Sequence, residues 1–305
     1  MNLSTADPLP PGLYIVATPI GNLGDLSPRA AAVLAGVALI AAEDTRVTAK
    51  LLAHIGAGVP MTPYHDHNAD AVRPGLVARA ASHAVALVSD AGTPLISDPG
   101  FKLVRDCRAA GVNVVTVPGA CAAIAALTLA GLPTDRFLFM GFLPAKAGAR
   151  DTAIDEVANV RATLVFYESG PRTAVTLAAL AARLGDRPAA VAREITKKFE
   201  EAVDGTLVSL AARYGTTPPR GEVVIVVGGP VVTPATAADL DAVLAAAMSR
   251  APLSTAVAEV SAALGLPRST VYARGLELRD APNAENLAAR QALQAGTSCW
   301  PQGEP

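Results

Sequence analysis

The chain has 305 residues, 51% hydrophobic and 17% charged, which is enough to bury a large core and argues against extensive disorder. Its formal charge of −2 excludes a broad electrostatic grip on nucleic acid, so any RNA contact has to come from a local patch. Cys107, Cys121 and Cys299 lie far apart, without metal-ligand spacing or the density of a disulfide framework.

In chain order, residues 1–11 read as a loose leader lacking the basic and apolar regions of a signal peptide. Apolar runs at 13–17, 37–42, 84–88, 112–117, 163–166 and 189–192 are too short for helices and read as buried parallel strands. Ser27 and Pro28 start the first helix, as N-cap and first helical residue. Residues 114–132 are nearly all apolar, but Pro118-Gly119 breaks them into a strand, a turn and a buried helix rather than a membrane span. A boundary near 132–135 separates an α/β segment, 12–132, from a second one, 133–230, which ends in a strand at 223–227. A linker is expected at 231–238 and a helical segment at 239–281. In that segment, helices 254–264 and 269–278 flank Gly265-Leu266-Pro267-Arg268 like a helix-turn-helix. The tail 282–305 has no periodicity.

Each apolar run leads into a compact polar cluster. Ligands of open α/β sheets sit beyond the carboxyl ends of strands, so the layout predicts one long cleft and an enzyme. The loop after the first strand, Gly21-Asn22-Leu23-Gly24, lacks the dinucleotide-binding glycine pattern, and neither a Walker loop nor a nucleophile elbow is present. His65 and His67 could share a face of a strand, but no third ligand lies nearby, so no metal is expected. Ser89-Asp90-Ala91-Gly92-Thr93-Pro94 offers small residues for close ligand approach and a carboxylate for a hydroxyl or amino group; the same residues also make an ordinary turn. Pro118-Gly119-Ala120-Cys121 could present helix N-terminal amides. Glu43, Asp44 and Arg46 stand at one strand end, where substrate positioning or proton transfer competes with helix capping. Tyr167-Glu168-Ser169 and Arg193-Glu194 end two further runs.

The strings Ala17-Thr18-Pro19-Ile20-Gly21-Asn22-Leu23, Ala42-Glu43-Asp44-Thr45-Arg46, His65-Asp66-His67-Asn68 and Ser89 through Gly100 resemble the signature of the ribosomal RNA small subunit methyltransferase I family. Gly141-Phe142-Leu143-Pro144, Tyr167-Glu168-Ser169, Ala192 through Lys197 and Gly221-Glu222 continue the likeness in order, over about residues 12–280. The resemblance implies two α/β domains of the tetrapyrrole methylase type with S-adenosylmethionine in the cleft between them, a cytoplasmic homodimer, and no membrane. It implies 2′-O-methylation of cytidine 1402 in 16S rRNA of the 30S subunit.

On that reading Pro19, Ser89, Asp90, Gly92, Thr93, Pro94, Gly119, Ala120, Cys121 and Tyr167 line the cofactor pocket, while Glu43, Asp44, Arg46 and Glu168 face the nucleotide. The catalytic base stays open among them. Arg250, Arg268, Arg274 and Arg279 could form the basic patch for RNA, or merely a solvated helix face. The chain departs from the family pattern at Pro171, where a histidine is usual, at Arg220, where a lysine is usual, and at Ala17, where a proline is usual. Two other readings remain: a methyltransferase acting on a tetrapyrrole such as a cobalamin precursor, since fold does not fix function, and a non-catalytic module binding ribosomal RNA.

Overall fold

A computed structural model describes residues 8–230 and 237–280. The start of the leader, most of the expected linker, the tail and Cys299 lie outside the described residues. The chain divides into two compact units, one ending at Pro230 and one beginning at Val231.

The first unit begins with β1 (Gly12–Val16), α1 (Pro28–Gly36), β2 (Leu39–Ala42), α2 (Thr45–His54), β3 (Met61–Pro63), α3 (Ala69–Ser82), β4 (Ala84–Val88), α4 (Phe101–Ala109) and β5 (Val114–Val117). The strands form one parallel sheet in the order β3-β2-β4-β1-β5. Its runs are apolar on both faces because helices cover both. Tyr14, Val16, Ile40, Ala42, Ala86 and Val88 pack on Val33, Leu34, Leu51 and Leu52 of α1 and α2. The alternate residues Leu13, Ile15, Ala41, Val85 and Leu87 pack on Leu76, Ala80, Leu103 and Cys107 of α3 and α4. Ser27 caps α1 as its residue type predicts, accepting from the Ala30 amide at 3.1 Å with Pro28 next in line.

There follow α5 (Ala122–Leu129), β6 (Phe137–Phe142), α6 (Ala147–Asp155), β7 (Thr163–Ser169), α7 (Thr173–Leu184), β8 (Pro188–Arg193), β9 (Glu201–Thr206), α8 (Leu207–Thr216) and β10 (Glu222–Val227). The second sheet runs β6-β7-β10-β8-β9. Here the parallel expectation holds for run 163–166, which pairs with β6, and is corrected for run 189–192, whose two neighbours are both antiparallel to it. Only β6 and β7 are parallel; β10 inserts between β7 and β8 antiparallel to both, and β9 is antiparallel to β8. Burial on both faces gives such strands the same continuous apolar pattern as parallel ones, so composition could not separate the two cases.

One face of this sheet, with Leu164, Phe166, Val191, Val223 and Ile225, packs on Ile154, Leu177, Leu180, Leu207 and Leu210 of α6–α8. The other face, with Val165, Ala190, Ala192, Val224 and Val226, packs on Ala123, Ala126 and Leu127 of α5. The apolar stretch 114–132 is thus a strand, a turn and a covered helix, and α5 lies against the second sheet although it precedes the expected boundary. Among the described residues no helix is long and apolar enough to cross a membrane.

Among its described residues the second unit holds α9 (Ala237–Met248), α10 (Leu253–Leu264) and α11 (Arg268–Asp280) around Leu244, Ala247, Val257, Val260 and Val271. Gly265 ends α10 in the left-handed conformation (φ 66°), a position glycine takes without steric cost.

Candidate active site

A cavity of about 540 Å³ opens in the first unit between the carboxyl ends of β1, β2 and β4 and the second sheet. That size suits a ligand of a few tens of atoms. Of the residues expected there from sequence, Glu43, Asp90, Gly92, Thr93, Cys121 and Tyr167 line it. Pro19, Ser89, Pro94, Gly119 and Ala120 do not line it; they belong to the loops that carry the lining.

Those loops are pinned to one another. Thr18 and Gly92 exchange backbone hydrogen bonds at 2.8 and 3.1 Å, and Thr93 Oγ1 donates to the Ala120 carbonyl at 3.0 Å. A Cβ on Gly119 would lie 2.9 Å from Ala17 Cβ, so only glycine lets that turn close on the end of β1. Gly92 adopts φ 81°, which again favours glycine.

The floor of the cavity is acidic. The Asp90 amide donates to Glu43 Oε2 at 3.2 Å, and the Asp44 amide donates to Asp90 Oδ1 at 3.0 Å. Asp98 and Glu222 complete the group. Burial pushes the carboxyls of Glu43 and Asp90 above their ordinary range, helped at Glu43 by the neighbouring Asp90 charge. Burial likewise raises Asp98 to about 6, against a hydrogen bond from the Ser89 side chain that lowers it and with the charges of Glu43, Asp90 and Glu222 adding to the rise. Carboxyls that crowd and desolvate one another in this way are stabilised by an incoming cation.

The opposite wall is aromatic. The Tyr167 ring meets Phe139 and Phe142 edge to face, with centroids 4.9 and 5.6 Å apart. Its hydroxyl accepts from the Ala123 amide at 3.1 Å, at the start of α5, and burial raises its pKa well above that of a free tyrosine. At the rim Lys197 Nζ pairs with Glu194 Oε1 at 3.1 Å. Lys197 passes directly over Gly21, where a Cβ would sit 2.6 Å from its Cγ.

Three expected catalytic residues stand elsewhere. Asp44 is the N-cap of α2, accepting from the Arg46 amide, and pairs with the Arg46 guanidinium at 2.6 Å. The Arg46 side chain holds the Asp44 carboxyl down at about 2, and Arg46 itself is 87% exposed. Glu168 does not face the cavity. The pleat of β7 turns Tyr167 toward it and Glu168 to the opposite face, where the carboxylate is 1% exposed. There it accepts from Thr176 Oγ1 at 2.7 Å and the Ser169 amide at 2.7 Å, with Arg172 at 3.2 Å. Pro171 is the second residue of the 3-10 turn Gly170–Arg172.

Asp98, Phe142, Lys197 and Glu222 line the cavity without having been expected there, and so does Glu194, whose cluster was noted only as the end of a run. Each lies inside a motif string, so order along the chain carried the signal. What was missing was the strand pairing that brings 194–197 and 221–222 across from the first sheet. His65 and His67 sit in a turn after β3 rather than on a strand. In the second unit Arg274 makes a bidentate pair with Asp241 at 2.6 Å, Arg279 binds Asp280 at 2.9 Å, and Arg250 lies 3.6 Å from Glu259. Of the four expected RNA-contacting arginines, only Arg268 has no ion-pair partner among the described residues.

The profile of the Tetrapyrrole (Corrin/Porphyrin) Methylases matches residues 12–211, and that of the RsmI C-terminal HTH domain matches residues 234–279. The ribosomal RNA small subunit methyltransferase I of Erythrobacter litoralis is 50% identical over 275 residues, 90% of this chain and 98% of that protein. The protein of the same name from Mesorhizobium japonicum is 46% identical over 278 residues, 90% of this chain and 95% of that one. Among solved structures, uroporphyrin-III C-methyltransferase of Thermus thermophilus in complex with S-adenosylhomocysteine aligns with a TM-score of 0.50 at 23% identity. The alignment covers 72% of this chain and 98% of that one.

Proposed function

The chain belongs to the ribosomal RNA small subunit methyltransferase I family within the tetrapyrrole methylase fold, and on that premise we propose that it methylates the ribose 2′-hydroxyl of cytidine 1402 in 16S rRNA, using S-adenosylmethionine. The observation that carries the cofactor reading is the convergence of Glu43, Asp90 and Asp98, all with raised pKa, on one aromatic-walled cavity. A donor set of that kind fits a sulfonium cation bearing an amino group and a planar ring system. The S-adenosylhomocysteine named for the Thermus structure is consistent with that fit.

When bound, the cofactor supplies an activated methyl group. Asp90, Gly92, Thr93, Cys121 and Tyr167 would hold it, with Asp90 giving the fixed charge and Tyr167 and Phe142 the apolar wall. Glu43 stands at the carboxyl end of β2 beside Asp90, where its carboxylate can accept the proton of an incoming hydroxyl. Asp44 and Arg46 fix the loop that carries Glu43, and Glu168 holds the turn after β7. Lys197 and Glu194 form the rim that a ribose must cross. The enzyme acts in the cytoplasm on the small ribosomal subunit and works as a homodimer. Arg268 and the helices around it give an accessory RNA contact.

The relatives' shared name favours ribosomal RNA over a tetrapyrrole as acceptor. Methyl transfer from labelled S-adenosylmethionine to 30S subunits from a strain lacking this modification, followed by mapping of the modified nucleotide, tests the proposal. A 2′-O-methyl mark at one cytidine is expected. Cofactor binding without transfer to subunits or to naked 16S rRNA would overturn it.

A further inference from the structure

A second depression, about 460 Å³ in volume, lies on the opposite face of the second sheet from the cavity, at the same end of β8 and β10. The pleat of β8 separates the two. Ala192 lines the cavity, while Arg193 points to the α8 side together with Val191. The loop into β10 joins them, since Arg220 lines the second depression and the next residues, Gly221 and Glu222, line the cavity. This loop is rigidly seated. The Gly170 amide donates to the Gly221 carbonyl at 2.7 Å, and a Cβ on Gly170 would lie 2.0 Å from the Pro219 carbonyl oxygen.

The depression is basic. Arg193 and Arg213 share one carboxylate, Glu201, at 2.6 and 3.3 Å, and Arg220 has no ion-pair partner among the described residues. Three guanidiniums against one carboxylate leave an excess of positive charge in a concave site. Tyr214 forms the inner wall. It is 4% exposed, and its buried hydroxyl has no hydrogen-bond partner among the described residues. The Arg213 guanidinium carbon lies 5.9 Å from the centre of the Tyr214 ring, which places the tyrosine at the arginine cluster. A buried donor left without a partner keeps its desolvation cost unmet, and a ligand oxygen that reaches it relieves that cost.

We propose that Arg193, Arg213, Tyr214 and Arg220 bind a phosphate of the RNA strand whose target ribose occupies the cavity, the strand passing over the ends of β8 and β10 from one face to the other. The inference rests on the proposed rRNA substrate. Arginine forks match phosphate oxygens bidentately, and the tyrosine hydroxyl adds one donor. The neighbouring loop fits the same path: Phe199 is 66% exposed and carries Lys198 Nζ 5.5 Å above its ring, a stacking surface beside a cation.

The full chain carrying Arg220→Gln, and separately Tyr214→Phe, is titrated against a fluorescent single-stranded RNA of the decoding-region sequence across a range of salt. Arg220→Gln is expected to weaken RNA binding about fivefold at 0.1 M salt and to reduce the log–log salt slope by about 0.7, the value for one single-strand phosphate contact. Tyr214→Phe should weaken RNA binding without lowering the melting temperature, because the lost hydroxyl has no partner in the free protein. S-adenosylmethionine affinity should be unchanged in both. An unchanged salt slope and affinity in Arg220→Gln would overturn the proposal. A melting-temperature rise with inorganic phosphate that Arg220→Gln abolishes, with RNA binding intact, would instead mark a free-anion site and also overturn it. Failure of the wild type to methylate 30S subunits would refute the functional reading alone, since the salt slope is read without turnover.

Discussion

Glu43 and Asp90, at the ends of adjacent strands β2 and β4, are clasped through each other's backbone: the Asp90 amide binds the Glu43 carboxylate, and the amide following Glu43 binds the Asp90 carboxylate. Each carboxylate keeps its second oxygen for another partner. The clasp holds two acidic groups closer than their charges favour, which is how a cation site is organised before the cation arrives.

Asp90→Asn keeps an oxygen to accept from the Asp44 amide but removes the charge. S-adenosylmethionine affinity measured by calorimetry should fall about tenfold, equivalent to ~1.4 kcal/mol. The melting temperature should stay within about 2 °C of wild type, as expected for a substitution away from the core. Undiminished affinity would remove Asp90 from the cofactor site.

Glu43→Gln retains the clasp and loses the proton acceptor. Turnover should drop about 100-fold, within the usual contribution of general-base catalysis. Cofactor affinity should change by less than about threefold, or ~0.7 kcal/mol. Full turnover in single-turnover assays would rule out Glu43 as the base.

Asp98 titrates near 6, well above a free carboxyl, so the folded state binds its proton more tightly than the unfolded state does. Its contribution to stability is therefore present at low pH, below the unfolded pKa, and is lost as pH rises through about 6. Asp98→Asn should raise the melting temperature by about 1–3 °C at pH 8 and by little at pH 4, a small effect because solvent screens a half-buried group. An equal change at both pH values would refute the burial account of the shift.

Glu168→Gln tests the placement of that residue off the cavity. It removes a buried charge that meets Arg172, Thr176 and the Ser169 amide, so urea denaturation should show a loss of about 1–3 kcal/mol. The folded enzyme should keep kcat within about twofold, a barrier change of ~0.4 kcal/mol. A large fall in kcat with stability intact would return Glu168 to the chemistry.

Gly21→Ala should push Lys197 off its course, because the new Cβ meets both Cγ and Cε of that side chain at 2.6 and 2.8 Å. The Glu194 pair would break, and the KM for RNA should rise about fivefold, ~1 kcal/mol of lost binding, with cofactor affinity unchanged. An unaltered KM would show that Lys197 has no part at the rim.

The first sheet was legible because each of its strands is a short apolar run followed by a helix with its own start signal, as at Ser27-Pro28. The second sheet was only half legible. Runs 163–166 and 189–192 announced strands but not their neighbours, since β10 inserts antiparallel between them from far along the chain. The short β3 and β9, the latter alternating exposed Ala202 and Asp204 with half-buried neighbours, lacked the length or apolar content to stand out. Glu43, Asp90 and Tyr167 could be placed because each lies within two residues of the end of a clear apolar run. Glu168 could not, because its side depends on pleat phase, and a one-residue difference reverses the face.

Because α5 precedes the second sheet in the chain yet covers it, the nascent polypeptide emerges with Ala123, Ala126 and Leu127 lacking their partners until β10 has been synthesised. The first sheet can close early, but the helix that follows it has to wait for some hundred residues. The two halves of the first unit therefore mature as one cooperative block, and a protease cut or a premature stop near Leu132 leaves an adhesive helix rather than a clean half-enzyme.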